Sequence, residues 1–297
     1  MQINRRIAFW FLVGCALLWS TGGFLIKSIN LSPLAISGGR SIIAALFLTL
    51  VHGRPRFVAS PVFLGAAFAY AGTLTSFVTA TRLTTAADAI LLQYTAPVFV
   101  LLFGWLLLKE RVTRVDLAVT ILVMAGLVVF FLESLSGDTS ATAMAGNALG
   151  VLSGVFFGLQ AVLMRKVRLS GMPVESVLIL GNLICFVIAI PALTVSRPDS
   201  MDLLWLTLLG VVQIGFAYLL YMAALRYVTS LELILVPVIE PVVNPLIVFL
   251  LRGEKPGLLT IAGGVFILGI VTAWCLYRAR QPQAALPDQV DEPAVLD

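Results

Sequence analysis

The sequence predicts an all-α membrane protein with ten transmembrane helices arranged as two inverted five-helix repeats. The 297 residues are 60% apolar and 11% charged, with a mean hydropathy of +1.04, whereas soluble domains carry roughly 25% charged residues. The apolar residues form long runs without the charged face that a soluble helix needs. Several polar residues and prolines also recur in both halves of the chain. These observations place most of the chain in lipid and divide it into two copies.

Ten apolar segments result from cutting the chain at its charged and Pro/Gly-rich breaks. Each has about 20 residues, which is the length that an α-helix needs to cross the hydrocarbon. The segments are continuously apolar, whereas the strands of a membrane β-barrel alternate between apolar and polar residues. The predicted spans are 7–27, 33–52, 61–81, 86–108, 115–133, 147–166, 174–194, 201–225, 230–251 and 257–278.

Five residues of the first half return 144 positions later in the second half, and the only change is Asp to Glu. They are Arg82, Thr85, Asp88, Pro97 and Glu110, matched by Arg226, Thr229, Glu232, Pro241 and Glu254. The recurrence indicates a duplication, and paired repeats inside a membrane are the usual construction of secondary transporters. The acidic residues and threonines at the starts of helices four and nine are expected to cap them.

The repeat and the polar breaks predict four parts of the chain. Residues 1–134 form the first repeat, 135–146 a linker, 147–280 the second repeat and 281–297 a disordered cytoplasmic tail. With the N-terminus inside, thirteen Lys and Arg residues fall on inside connections and five on outside ones, so both termini are expected in the cytoplasm. Five helices per repeat is an odd number, so the second copy enters the membrane upside down.

Several other functions lack the residues they need. The cysteines Cys15, Cys185 and Cys275 fall singly in apolar segments, so we expect no metal and no cofactor. The chain has one histidine and no P-loop, HExxH or Gly-rich dinucleotide motif, so we expect neither an enzyme nor an ATP-driven pump. The basic residues form no stripe for nucleic acid. The expected partners are a small-molecule substrate and the lipid bilayer, and the expected assembly is a monomer.

The two copies of the recurring pattern resemble the signature of the drug/metabolite transporter superfamily, in its ten-helix EamA branch. In that pattern a Thr-containing turn leads into a Pro-containing helix that ends in an apolar run and a Glu, here LLFGWLLLKE and PLIVFLLRGE. Within the branch, the chain most resembles bacterial aromatic amino-acid exporters of the YddG type. The resemblance implies an inner-membrane exporter with alternating access and a cavity lined by helices one, three, four, six, eight and nine. The first helix has no acidic residue, unlike the small four-helix multidrug relatives.

Mid-span aromatic and polar residues on these helices are the candidate substrate site. Glu240 is the only carboxylate near the centre of a predicted span, and a charge there costs at least ~2.5 kcal/mol, so it should be paired or face water. The alternative to a role in binding is that Glu240 bonds Asn244 or the freed backbone and braces the helix kink. An offset of 138 residues aligns Phe157 with Trp19, so these rings are expected to face each other. The substrate-binding candidates are Trp19, Ser20, Tyr70, Phe77, Tyr94, Phe157, Gln160, Tyr218 and Glu240, and further mid-span candidates are Gln93, Gln213, Phe216 and Tyr221.

Four residues have two interpretations each. Pro97 and Pro241 interrupt their helices and are hinges or static kinks. Arg40 is expected to extend to the outer interface, and binding a substrate carboxylate is the alternative. Glu110 has basic neighbours on both sides, so solvated ion pairs are expected and a gating contact is the alternative.

The sequence therefore predicts a secondary transporter that exports amino acids, aromatic or bulky neutral ones, by alternating access around a central cavity. A broad-specificity exporter of drugs or metabolites is the alternative within transport. A receptor or scaffold that transports nothing is the alternative outside it, and the lack of a polar cavity between the halves would favour it.

Overall fold

The computed structural model of the protein describes residues 5–84, 86–132, 140–225, 227–243 and 258–280, and within these ranges all regular structure is helical. Among these described residues, seven helices are long and apolar enough to cross a membrane. They are α1 (Arg5–Lys27), α2 (Pro33–His52), α3 (Pro61–Leu83), α4 (Asp88–Leu108), α6 (Ala141–Leu169), α7 (Val174–Val195) and α8 (Ser200–Ala224). Further helical segments are α5 (Arg114–Phe131), α9 (from Glu232 to residue 243) and α10 (Leu258–Arg280).

Most helix boundaries lie near the predicted ones, but α6 starts earlier. It begins at Ala141 rather than at residue 147, because the Ser140 side chain caps it by accepting a hydrogen bond from the Ala143 backbone N–H at 3.2 Å. The predicted linker 135–146 therefore includes the first turn of α6. Residues 244–257 and the predicted tail 281–297 lie outside the described residues, and the number of ten crossings stays a prediction.

Four of the helices are irregular part-way along the length that the structure describes. α1 is broken by a turn at Ser20 and Thr21, and α4 by a turn at Tyr94 and Thr95. α8 contains a π-helical stretch, Leu209–Phe216, and α9 passes through a 3₁₀ turn at Val236–Val238. Non-helical backbone is tolerated at membrane depth only where protein or a water-filled cavity satisfies its polar groups, so these breaks mark the region around which a site should be sought.

Contacts between helix ends define two faces of the bundle. We call them the Arg5 face and the Lys27 face, after the two ends of α1. On the Arg5 face, Arg5 pairs with Glu232 at the start of α9. On the Lys27 face, Lys27 Nζ donates to the backbone oxygen of Thr84, just before α4, at 3.1 Å. The corners that precede α4 and α9 thus lie at opposite ends of α1, which are about 33 Å apart at 1.5 Å per residue.

The helix pairs that pack together are symmetric when the two halves are exchanged. α3 packs on α6 as α8 packs on α1, and α3 packs on α7 as α8 packs on α2. α4 lies against α6 as α9 lies against α1, while α2 with α7 and α5 with α10 form pairs across the halves. The buried core is continuous through these pairs.

Candidate functional site

A small cavity lies between the two halves, beside the breaks of α1, α4, α8 and α9. Its volume is about 40 Å³, which is room for about three water molecules. Its lining combines aromatic rings, two amides and two charged groups. The lining residues are Trp19, Arg40, Thr73, Leu74, Phe77, Gln93, Phe157, Gln213, Ile214, Tyr218 and Glu240.

Aromatic rings from both halves meet at Trp19. The Trp19 ring centroid lies 5.7 Å from that of Phe157, 5.4 Å from Tyr218 and 5.9 Å from Tyr221. These separations are typical of favourable aromatic pairs. The predicted encounter of Trp19 and Phe157 is confirmed, and the rings form an apolar wall that suits a flat side chain.

The tyrosine hydroxyls of this wall have polar partners. The Tyr70 ring packs edge-to-face against Tyr218, with centroids 4.9 Å apart. Gln160 Nε2 donates to the Tyr218 hydroxyl at 3.0 Å, and Asn182 Nδ2 donates to the Tyr70 hydroxyl at 3.1 Å. Because buried hydroxyls are costly without a partner, these amides fix the orientation of both rings.

The irregular backbone of α9 positions Glu240. Pro241 has no N–H to give to the Pro237 carbonyl, four residues earlier, so that oxygen needs another donor. The Tyr94 hydroxyl of α4 lies 2.7 Å from it and 2.8 Å from Glu240 Oε2. A phenol has one hydrogen and donates to one acceptor at a time, so the Tyr94 hydroxyl donates either to the Pro237 carbonyl or to the Glu240 carboxylate. Tyr94 therefore joins the two breaks.

Removing the Tyr94 hydroxyl should destabilise this junction. In Tyr94→Phe, the Pro237 carbonyl and the Glu240 carboxylate both lose their shared partner inside the protein, at an expected cost of about 1–3 kcal/mol. Thermal unfolding of the purified protein in detergent measures it as a lower midpoint. The control is Tyr277→Phe on exposed α10 surface, which should leave the midpoint unchanged. Equal midpoints for both variants would show that the junction contributes nothing.

Arg40 lies inside the bundle, which corrects the expectation that it extends to an interface. Its side chain is 1% exposed and lines the cavity. Nη1 donates to Gln213 Oε1 at 3.2 Å, and Nη2 donates to the Leu74 backbone oxygen at 3.3 Å. Since Arg40 is only seven residues into α2, its sequence position resembled that of an interfacial residue.

The structure brings the nine predicted substrate-binding residues together. Five line the cavity, and Ser20, Tyr70, Tyr94 and Gln160 contact those five. Phe216 does not join them, because it is 48% exposed and packs against Phe47 on the outer side of α8. The predicted site lacked Thr73, Leu74 and Ile214. Arg40 was named only through its alternative interpretation, and Gln93 and Gln213 only as further candidates. A mid-helix Gln gives a weak signal in sequence, and the π-helical stretch that turns Gln213 inward gives none.

Comparison with protein families identifies the chain. A model described as the EamA-like transporter family matches it twice, over residues 6–132 and 144–274. The chain belongs to the EamA-like transporter family. It is therefore a multi-pass membrane protein of a transporter family, with two copies of the family unit, a lipid environment and a small-molecule substrate.

One relative and one solved structure are also similar to this chain over most of its length. An uncharacterized transporter of Archaeoglobus fulgidus is 27% identical over 262 residues, which are 87% of this chain and 93% of the relative. A crystal structure of another protein has a TM-score of 0.74 at 21% identity, over 94% of this chain and 100% of that one. The second likeness concerns the fold alone. The narrower resemblance to YddG-type aromatic exporters receives no support from these comparisons.

Proposed function

We propose that the protein is a secondary transporter that exports amino acids, aromatic or bulky neutral ones, by alternating access around the central cavity. The observation that carries this proposal is the wall of aromatic rings around Trp19, contributed by both halves and placed beside one buried carboxylate. An apolar site with few, well-placed polar groups is the usual form of a small-molecule site.

The arrangement of the two copies supports alternating access. The corner before α4 lies on the Lys27 face, and the equivalent corner before α9, 144 positions later, lies on the Arg5 face. Copies related in this way are inverted. When each copy adopts the conformation of the other, a site between them opens to the opposite side of the membrane. We place the Arg5 face in the cytoplasm of a bacterial inner membrane, since the positively charged connections concentrate there.

The cavity is too small for its proposed substrate in this conformation. About 40 Å³ does not hold a phenylalanine, so the rings must move apart for binding. We propose that α4 and α9 pivot at Pro97 and Pro241, where each helix lacks a backbone hydrogen bond. Tyr94 and Glu240, which join the two helices, would then separate during the cycle.

Substrate-dependent thermal stabilisation of the purified protein tests this proposal. A ligand present at 100 times its Kd adds about 2.7 kcal/mol to stability, so phenylalanine, tyrosine or tryptophan should raise the midpoint by several degrees and glycine should not. Trp19→Ala should remove the effect, while Trp10→Ala, at a residue of α1 that is 72% exposed, should retain it. Stabilisation by none of the amino acids would refute the proposal. Equal stabilisation by unrelated drugs would favour the broad-specificity alternative.

A further inference from the structure

Arg40 is a buried cation without a carboxylate partner among the described residues. The ion pairs in the described part of the chain involve Arg5 with Glu232 and Arg165 with Glu110. The two acceptors of Arg40 are neutral, the Gln213 amide and the Leu74 carbonyl. Its buried Nε has no hydrogen-bond partner. A guanidinium has five N–H donors, so donors remain for a ligand in the cavity that Arg40 lines.

Glu240 lines the same cavity and is not ion-paired with Arg40. Its observed side-chain partner is the Tyr94 hydroxyl, a neutral group. The cavity therefore has a cationic group from α2 and an acidic group from α9, each held by neutral partners. Uncompensated buried charge is costly unless it is paired, and a ligand with both charges would compensate the two groups at once.

Beside the two charged groups, the aromatic rings provide an apolar surface for a ligand's side chain. Trp19, Phe157 and Tyr218 line the cavity beside Arg40 and Glu240. An α-amino acid is the class of small molecule that carries a carboxylate and an ammonium group on one carbon next to a single apolar side chain. The planar guanidinium fork matches a carboxylate with two parallel hydrogen bonds, which a lysine ammonium does not reproduce.

We infer that Arg40 binds the substrate's α-carboxylate and Glu240 its α-ammonium group, so that the site recognises the zwitterionic head group of an amino acid. The inference rests on the proposed function and adds to it a specificity-determining residue, Arg40. It also excludes amines without a carboxylate and acids without an amine as good ligands.

Close helix packing holds Arg40 in position. α2 and α8 approach so closely here that a Cβ at Gly210 would lie 2.7 Å from the Arg40 backbone oxygen. A Cβ at Gly22, beside the break of α1, would lie 2.9 Å from Gln213 Nε2. Gln213 is thus confined between α1 and Arg40, which fixes the direction of the guanidinium.

Binding of phenylalanine and two analogues to purified protein tests the inference. Phenethylamine lacks the carboxylate and 3-phenylpropionate lacks the amine. On the wild-type protein, each should bind roughly tenfold to hundredfold more weakly than phenylalanine, because each leaves one buried charge unpaired. The Arg40→Gln variant should bind phenylalanine only about as tightly as phenethylamine, so that the ratio of the two affinities falls to about one. Arg82→Gln, on the Lys27 face, should keep the wild-type ratio.

The outcomes separate this inference from the proposed function. Wild-type protein that binds phenethylamine as well as phenylalanine, or an Arg40→Gln variant that keeps the wild-type ratio, would overturn the role of Arg40 and leave amino-acid binding intact. Wild-type protein that binds none of the three compounds would refute the proposed function itself. If Arg40→Gln does not fold, Arg40→Lys, which keeps the charge and loses the fork, should reduce the ratio, and an unchanged ratio would overturn the inference.

Discussion

The Gly154→Val variant should fail to accumulate as folded protein, because α6 and α4 pack too closely at this position for any side chain. A Cβ on Gly154 would lie 2.4 Å from Thr95 Oγ1 and 2.9 Å from the Gln93 backbone oxygen. The Gln93 carbonyl belongs to the backbone, so it cannot turn aside as the far end of a flexible side chain can. Overpacking costs about 3 kcal/mol at the upper end of its usual range, and valine adds two methyl groups beyond Cβ.

Gel filtration in detergent and thermal unfolding measure this effect. The matched control is Gly269→Val in α10, where an added Cβ meets nothing within 4 Å. We expect aggregation, or a strongly lowered midpoint, for the first variant and wild-type behaviour for the second. A Gly154→Val protein with a wild-type profile would show that α4 and α6 are not packed as described.

Removing Arg165 should loosen the Arg5 face of the bundle. Arg165 Nε lies 2.7 Å from Glu110 Oε1, Arg165 also donates to the Val228 backbone oxygen, and the Ser230 hydroxyl donates to Glu110 at 3.0 Å. This contact between the halves corrects the expectation that Glu110 forms solvated pairs with its sequence neighbours. Breaking a buried pair costs about 3–5 kcal/mol, and we expect about 2–3 kcal/mol for Arg165→Met because Glu110 is 24% exposed.

A double-variant cycle tests the pair itself. Glu110→Gln combined with Arg165→Met leaves no unpaired charge, so it should recover part of the stability lost in Arg165→Met alone. Lys166→Met is the control, since its ammonium group donates to the Leu107 carbonyl at an exposed position and should matter little. Additive losses in the double variant would show that Arg165 and Glu110 do not stabilise each other.

The sequence predicted well those features that follow from repetition and periodicity. The apolar runs gave seven of the spans, and the 144-residue offset placed Thr229 and Glu232 at a helix start, where the Thr229 backbone N–H donates to Glu232 Oε2 at 2.7 Å. Thr85, its counterpart, lies outside the described residues. Gly150, Gly154 and Gly158 recur at every fourth position of α6, a spacing that lets another helix approach closely, and the structure places Gly150 against Leu92 and Gly158 against Phe99 of α4.

The sequence could not predict features that depend on which groups meet across helices. Tyr94 was a candidate because it is aromatic, but its contact with Pro237 and Glu240 depends on the break of α9. Arg40 was expected at an interface, since its position near the start of α2 gives no sign of the Gln213 amide that turns inward from the π-helical stretch of α8. Pairings of this kind come from tertiary packing, which periodicity does not encode.

The most direct measurement of the central claim is exchange of amino acids across proteoliposome membranes. Vesicles containing the purified protein and preloaded with unlabelled phenylalanine should take up labelled phenylalanine in a saturable way, faster than vesicles loaded with buffer. Trp19→Ala should reduce the exchange to that of protein-free vesicles, and Trp10→Ala should not. If wild-type protein gives no exchange above protein-free vesicles for any amino acid, a central amino-acid site with alternating access is contradicted.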